Sequence, residues 1–158
     1  MQKLDRDSII PIPETISAIN QFMSEMSVLP HMEALKLKKS KRTSLFGKEI
    51  RLGSVRLQTF ATYGVTCICC NKKASYFAIE RHECNEQYHI NLYGKREDGS
   101  ELLFTHDHIL ARALGGVDNI SNTQTMCTDC NSDKSIEERK IITARKKSKD
   151  QENKNVYA

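Results

Sequence analysis

Hydrophobic residues recur at helical spacing near the start of the chain and again before its first cysteines. A stripe with a period of three to four residues predicts an amphipathic helix over about residues 14 to 29, which ends near Pro30. The stripe consists of Ile16, Ile19, Met23 and Met26. A shorter helix is predicted over residues 54 to 63, because Ser54 suits an N-cap and Gly64 suits the position after the last turn. Its expected buried residues are Val55, Leu57 and Phe60.

From residue 74 onward the pattern changes to a period of two. Apolar and polar residues alternate in this region, as they do in half-buried strands. The strand-like runs are Tyr76–Ile79, Tyr88–Leu92 and Glu101–Phe104. The pair Asp98-Gly99 is typical of a hairpin turn and precedes the third run. We therefore expect an antiparallel sheet.

Other segments lack a clear period. Residues 109 to 121 contain Gly115-Gly116 and Asp118-Asn119, which interrupt regular structure. After them, a helix is predicted from about Asn131 to near Ala144.

The expected fold class is α+β, in one domain with an appended element. Residues 1–60 are predicted to form a helical and basic N-terminal extension, in which residues 36 to 51 are an exposed arm or irregular linker. Residues 61–145 are predicted to hold the strands and the cysteines, and residues 146–158 to form a polar, disordered tail.

Composition favours a small core that needs a metal to stabilise it. Only 6% of the 158 residues are aromatic and Trp is absent, so large core side chains are few. We expect no membrane span and no signal peptide, because no apolar run approaches the ~18 residues of a span and the first ten residues lack an apolar core. The expected location is the cytoplasm, where cysteines at short spacing favour zinc over disulfides.

The net charge of +4 is unevenly distributed. Residues 36 to 56 hold eight basic side chains and one acid, and residues 139 to 149 hold six basic side chains and no acid. Such blocks are either solvated tails or contacts to a polyanion such as DNA. On the second interpretation, the residues of the first block proposed to bind DNA are Lys38, Lys39, Lys41 and Arg42.

Two pairs of cysteines with the spacing C-x2-C predict a four-thiolate zinc site. The ligands would be Cys67, Cys70, Cys127 and Cys130. Two thiolates from one tight turn can reach the same ion, and a site made of four cysteines leaves no position for water, so the zinc would be structural. Cys69 is an alternative ligand that breaks the spacing. Cys84 lies near two histidines, but the favoured interpretation is an ordinary residue, because no further ligand completes a second site.

A set of residues around the second cysteine pair resembles the HNH endonuclease family. The chain has Asp107-His108-Ile109, then Gly115-Gly116 and Asn122, and finally Asn131 directly after Cys130, with Lys134 three residues later. The resemblance covers about residues 67 to 136. It implies a ββα-metal nuclease core stapled by zinc, like the small freestanding HNH proteins of phages and mobile elements.

The resemblance also implies a role for each motif residue. His108 would be the general base, Asn122 would brace the nearby loop, and Asp107 and Asn131 would bind a catalytic Mg²⁺ or Mn²⁺. Phosphodiester hydrolysis suits these residue types, because a neutral imidazole accepts a proton from water and hard oxygen ligands suit such an ion. Adjacent strand residues point to opposite faces, so a bulge or a backbone twist would have to bring Asp107 and His108 together.

Three further residues keep two interpretations each. Lys134 is either a phosphate contact or an ordinary lysine at the start of a helix. Arg112 is a weaker candidate for phosphate contact. His106 shares a face with His108 by alternation. It is either an accessory metal or phosphate contact or, as the favoured interpretation, an exposed strand residue with no role.

The leading hypothesis is a metal-dependent endonuclease that acts on double-stranded DNA. The first alternative is a non-catalytic, zinc-stapled nucleic-acid-binding protein with a degenerate nuclease fold. The second is an interaction protein whose N-terminal helix docks on a partner through its apolar stripe, although such a stripe more often belongs to a core.

Overall fold

The computed structural model describes residues 3–156, which form a five-stranded sheet, a small hairpin and four α-helices, with two short 3₁₀-helices at Arg112–Leu114 and Ile120–Asn122. The large sheet is antiparallel throughout, with strand order β1-β4-β5-β6-β7, and the hairpin pairs β2 with β3. The strands are β1 (Leu4–Ile10), β2 (Thr43–Leu45), β3 (Lys48–Ile50), β4 (Tyr76–His82), β5 (His89–Lys95), β6 (Glu101–His108) and β7 (Thr123–Cys127). The helices are α1 (Ile12–Ser27), α2 (His31–Ser40), α3 (Val55–Tyr63) and α4 (Thr128–Val156).

The core lies between one face of the sheet and helices α1 and α3. Its largest fully buried side chains include Phe60 of α3, Phe77 of β4 and Phe104 of β6. The predicted stripe of α1 belongs to this core, because Ile19 and Met26 are buried and the other two stripe residues pack against it. Since this face is covered, it does not offer a docking surface for a partner.

Helix α3 has the predicted ends. The Ser54 hydroxyl accepts a hydrogen bond from the Leu57 N–H, and Gly64, with φ of 94°, follows the last turn. Leu57 and Phe60 are buried as expected, whereas Val55 is only half-buried. The Thr59 hydroxyl lies 2.9 Å from that of Thr123, which fixes α3 on β7.

Helix α4 covers the opposite face of the same end of the sheet. Lys134 of α4 contacts Asp107, which accepts a hydrogen bond from Gln124, the neighbour of Thr123 on β7. Because adjacent strand residues point to opposite faces, α3 and α4 lie on opposite sides of the β6–β7 hairpin.

Several elements differ from the sequence-based expectation. Residues 36 to 51 are not an irregular arm, because they form the end of α2 and the β2–β3 hairpin. Strand β1 adds an edge strand to the sheet, so the N-terminal extension is not only helical. Helix α4 begins three residues before Asn131 and continues to Val156, so the expected end near Ala144 and the disordered tail, as far as Val156, are wrong. The three-part division of the chain stays a prediction.

Candidate functional site

The end of strand β6 carries Asp107 and His108 on opposite faces of the sheet. The pairing of β6 with β7 runs without a shift from Phe104, opposite Cys127, to His108, opposite Thr123. The backbone is therefore regular there, and no bulge brings the two side chains together. Each of them has its own set of partners.

Asp107 is buried and faces α4. One of its oxygens accepts a hydrogen bond from Gln124 Nε2 at 2.9 Å, and Lys134 Nζ lies 3.0 Å from the same oxygen, Oδ2. The Lys134 ammonium also donates to the His108 backbone carbonyl at 2.8 Å and to Glu138 at 2.5 Å. Two carboxylates and a carbonyl thus converge on one cationic centre.

Lys134 remains charged at this position. Burial lowers its pKa, but hydrogen bonds to Glu138 and Asp107 outweigh burial and raise the pKa above the usual lysine value. The site is therefore built around a positive charge surrounded by oxygen atoms. Oxygen donors of this kind are also the ligands that Mg²⁺ and Mn²⁺ prefer.

His108 is partly exposed and is oriented by a carboxylate. Its Nε2 lies 2.9 Å from Asp118 Oδ1, and this hydrogen bond lowers the pKa of Asp118. Arg112 approaches the other Asp118 oxygen at 3.9 Å. With Nε2 bonded to the carboxylate, Nδ1 of a neutral ring is the nitrogen that can accept a proton.

His106 lies beside His108 but is not the exposed residue that the sequence favoured. The two rings are 5.6 Å apart, edge to face, which confirms that they share a face of β6. His106 is half-buried, and its Nδ1 is buried without a hydrogen-bond partner among the described residues. Burial, followed by the nearby His108, lowers the pKa of His106, so this ring is neutral near pH 7.

Asn122 holds together the loop that follows His108. Its side-chain oxygen accepts a hydrogen bond from the Leu110 N–H at 3.0 Å, and its Nδ2 donates to the carbonyls of Leu110 and Val117. Gly116 lies against the same loop, because a Cβ there would stand 1.8 Å from the Leu110 carbonyl oxygen. The amide of Asn122 thus determines where the backbone after His108 runs.

Asn131 lies in the first turn of α4, three residues before Lys134. Residues three apart on a helix share a face, so Asn131 is on the side of α4 that carries the Asp107 contact. Among the hydrogen bonds of residues 3–156, none joins the Asn131 side chain to Asp107.

The four predicted cysteines cluster at the start of α4. Their sulfur atoms all lie within 4.8 Å of one another, and Cys70 Sγ is 3.9 Å from Cys127 Sγ. A tetrahedral site with zinc–sulfur bonds of about 2.3 Å has sulfur–sulfur edges of about 3.8 Å, so the cluster is compatible with a structural zinc. Cys69 and Cys84 are exposed and lie outside the cluster.

The first cysteine pair is set in a tight turn. Asn71 has a positive φ of 62° and donates its N–H to the Cys67 carbonyl, while the Cys67 N–H donates to the Lys72 carbonyl. Burial opposes ionisation of the Cys67 thiol, but backbone N–H groups at Cys70, Cys127 and Cys69 outweigh it and lower the pKa to about 7. Burial, followed by the neighbouring thiols, raises the pKa of Cys130. Backbone donors around a thiolate fit a metal ligand.

Residues 92–140 match the family model described as HNH endonuclease. We call residues 92–140 the HNH segment. The HNH segment contains β6, β7 and the start of α4, together with Asp107, His108, Asn122 and Asn131, whereas Cys67 and Cys70 precede it. The match confirms the resemblance seen in the sequence and supports a nuclease-like hydrolase that acts on nucleic acid.

The other two comparisons, with curated proteins and with solved structures, found no relative. Neither a curated protein nor a solved structure matches the chain. In the part of the chain that the structure describes, no helix is both long and apolar enough to cross a membrane.

The structure adds three site residues that sequence reasoning missed. Asp118 and Gln124 contact His108 and Asp107 across space, and their position depends on the loop path and on the unpredicted strand β7. Glu138 could have been found, because it follows Lys134 at the four-residue spacing that favours an ion pair on a helix.

Proposed function

We propose that the protein is a metal-dependent endonuclease that hydrolyses phosphodiester bonds in double-stranded DNA. The observation that carries the proposal is the HNH family match at residues 92–140, together with the place of Asp107 and His108 at the end of a hairpin that is backed by a helix. The cytoplasm is the proposed location, because reduced thiols are needed to bind zinc.

His108 is the proposed general base. Asp118 holds its Nε2, which leaves Nδ1 to take the proton from a water molecule that attacks phosphorus. Asn122 keeps the loop after His108 in place through three hydrogen bonds. Arg112, which is exposed beside Asp118, is a proposed phosphate contact.

Asp107 and Asn131 are the proposed ligands of a Mg²⁺ or Mn²⁺ ion. The oxygen atoms around the Lys134 ammonium fit such an ion, because they already stabilise a positive charge at Asp107. When bound, the ion would supply charge stabilisation at the phosphate and at the departing 3′ oxygen. The four cysteines are proposed to bind one structural zinc.

Incubation with supercoiled plasmid tests this proposal. We expect the wild-type protein to nick or linearise the plasmid only with Mg²⁺ or Mn²⁺, and His108→Ala to cut about 10²- to 10⁴-fold more slowly. His106→Ala is the matched control, because it removes a second imidazole from the same face of the same strand. Wild-type cleavage by His108→Ala, or a larger loss in His106→Ala, would contradict the assignment of the base.

A non-catalytic nucleic-acid-binding protein is the second candidate function. The observation that favours it is the contact of Lys134 with Asp107, which places a protein cation on the proposed metal ligand. On this alternative the wild-type protein binds the plasmid but leaves it supercoiled at every metal concentration. The same plasmid experiment therefore separates the two functions.

A further inference from the structure

Two cavities lie next to each other around the N-terminal end of α3. The first has a volume of about 230 Å³ and the second about 340 Å³. Both are lined by Arg51 and Ser54, so they are neighbouring parts of one surface region, which we name the trough.

The charged residues that line the trough are all basic except Asp118. Arg42, Arg51 and Arg56 line the first cavity together with His89, and none of the residues around that cavity is acidic. Lys38 and Lys39 line the second cavity, which extends to Asp118. Because Asp118 is hydrogen-bonded to His108, the trough leads from the proposed base to a group of arginines.

The walls of the trough are fixed by the fold. The α2 backbone packs so closely on Gly53 that a Cβ there would lie 2.4 Å from the Lys38 carbonyl oxygen. On the other side, β5 and β6 separate beyond Leu92 and Phe104. The Arg56 guanidinium donates to Asn91 Oδ1 and the Ile90 carbonyl, on the part of β5 that pairs with β4 but not with β6. Lys38 and Lys39 lie on α2 and Arg56 lies on α3, whereas Arg42 and Arg51 lie in the connections on either side of the β2–β3 hairpin.

Several basic residues inside the trough have no acidic partner, whereas neighbouring basic residues outside it form ion pairs. Arg51, Lys38 and Lys39 form no ion pair with any residue in the range 3–156. By contrast, Lys41 Nζ lies 3.7 Å from Glu25 and Lys48 Nζ lies 3.5 Å from Asp7. Guanidinium groups without an acidic partner suit phosphate, whose oxygens accept two parallel hydrogen bonds from one arginine.

We propose that the trough binds the phosphate backbone of the nucleic acid and leads it to His108, with Arg51 and Lys39 as phosphate contacts. The positive end of α3, at Ser54, favours the same ligand. The inference rests on the proposed function for the identity of the ligand. Arg51 and Lys39 lie outside the HNH segment. Of the four basic residues that the sequence indicated as DNA contacts, Lys41 is not part of the trough.

A salt series tests the trough by binding alone. The affinity of the full chain for a labelled DNA duplex is measured in the His108→Ala background without added Mg²⁺, so cleavage does not interfere. The trough variant carries Lys39→Ala and Arg51→Ala. The matched control carries Lys36→Ala and Lys95→Ala, which remove the same charge from exposed positions outside the trough.

In the trough variant we expect log affinity to depend less steeply on log salt. The magnitude of the slope should be smaller by about 1.8, since each phosphate contact contributes about 0.9. The control should keep the wild-type slope, and the charge-preserving pair Lys39→Arg and Arg51→Lys should keep most of it. Equal slopes in the trough variant and the control would overturn the proposal.

Inorganic phosphate, titrated at constant ionic strength, separates the two sources of the phosphate group. If the trough variant loses binding of free phosphate but keeps the wild-type affinity for DNA, the trough is not a nucleic-acid site. Failure of the proposed function looks different: the plasmid stays intact while the salt slopes still differ.

Discussion

The cysteine cluster and the Asp107 site lie at opposite ends of strand β7, yet the two candidate metal sites are built differently. The cysteine thiols have mainly one another as neighbours, at the separation that a single zinc ion requires. The Asp107 carboxylate is already bonded to Gln124 and to the Lys134 ammonium. A metal at the first site completes the structure, whereas a metal at the second site has to compete with a protein cation.

The largest expected effect is a loss of stability when the cysteine cluster is changed, but not when Asp107 is changed. Cys70→Ser or Cys130→Ser should lose zinc, solubility and helix content, because a structural zinc contributes about 10–16 kcal/mol and unfolding of a domain costs about 5–15 kcal/mol. Asp107→Ala should lose cleavage while keeping zinc and helix content. The measurements are elemental analysis, circular dichroism and plasmid cleavage.

The exposed cysteines provide the control for this comparison. Cys69→Ser and Cys84→Ser should keep about one zinc per chain, since neither residue lies in the cluster. A folded and active Cys130→Ser protein without zinc would defeat the structural assignment.

The competition at Asp107 gives a smaller expected effect. Lys134→Met should bind Mn²⁺ about fivefold more tightly, because removing an ion pair worth about 1 kcal/mol frees the carboxylate. Titration of Mn²⁺, followed by electron paramagnetic resonance, measures this without cleavage. Lys140→Met is the control, since Lys140 pairs with the exposed Glu137 on the same helix. Unchanged or weaker Mn²⁺ binding by Lys134→Met would show that the lysine supports the metal site instead of competing with it.

The smallest expected effect concerns an ion pair that involves no metal. The hydrogen bond from Arg6, opposed by burial and aided by Tyr76, lowers the pKa of Glu101 from 4.5 to about 2. A carboxylate whose pKa is lowered on folding stabilises the fold at pH values above its pKa in the unfolded chain. This contribution is lost as the pH falls from 4.5 to about 2. Because the Glu101 side chain is 38% exposed, the contribution should be only about 0.2–1 kcal/mol.

Urea unfolding of the wild type and Glu101→Gln above and below this pH range measures the contribution. Acid also protonates the cysteines in both proteins, so only the difference between the two proteins is informative. We expect the difference to shrink at low pH, and Glu97→Gln, which removes an exposed carboxylate, to resemble the wild type. A difference that is constant with pH would show that Glu101 acts by packing alone.

The elements that the sequence predicted correctly carry a local signal. Helix α3 has a capping serine at one end and a glycine at the other, and α1 has an apolar stripe that packs into the core. The cysteine cluster was predictable because the spacing C-x2-C reflects the geometry of a turn around a metal.

The elements that the sequence missed lack such a signal. Strand β1 is an edge strand with charged outward residues, so its alternation is weak. The turn of the β2–β3 hairpin is Phe46-Gly47, with φ of 47° and 83°. Turns of this kind usually contain Asn-Gly, so the phenylalanine gave no turn signal in the sequence. Helix α4 has no buried residue, and most of the residues that continue it past Ala144 are Arg, Lys, Gln or Glu, which have high helix propensity.

The sequence indicated which residues belong to the candidate site, but not which residues they contact. The motif placed Asp107, His108 and Asn122 in one region, and the hydrogen bonds of Asn122 agree with a bracing position. The partners Asp118 and Gln124 follow from the loop path and from the register of β7, which depend on long-range packing. Their roles in catalysis stay predictions.

The distance along the chain between the two cysteine pairs has a consequence for folding. The 56 residues between Cys70 and Cys127 contain β4, β5, β6 and most of β7, so the cysteine cluster joins two turns that are far apart along the chain. The length-dependent part of the chain entropy lost in closing a loop of this length is about 3.6 kcal/mol, and it has to be offset before the sulfur atoms can share an ion. We therefore expect the zinc site to be completed late in folding, and interactions formed after the transition state mainly slow unfolding. Loss of the ion should then speed unfolding more than it slows folding.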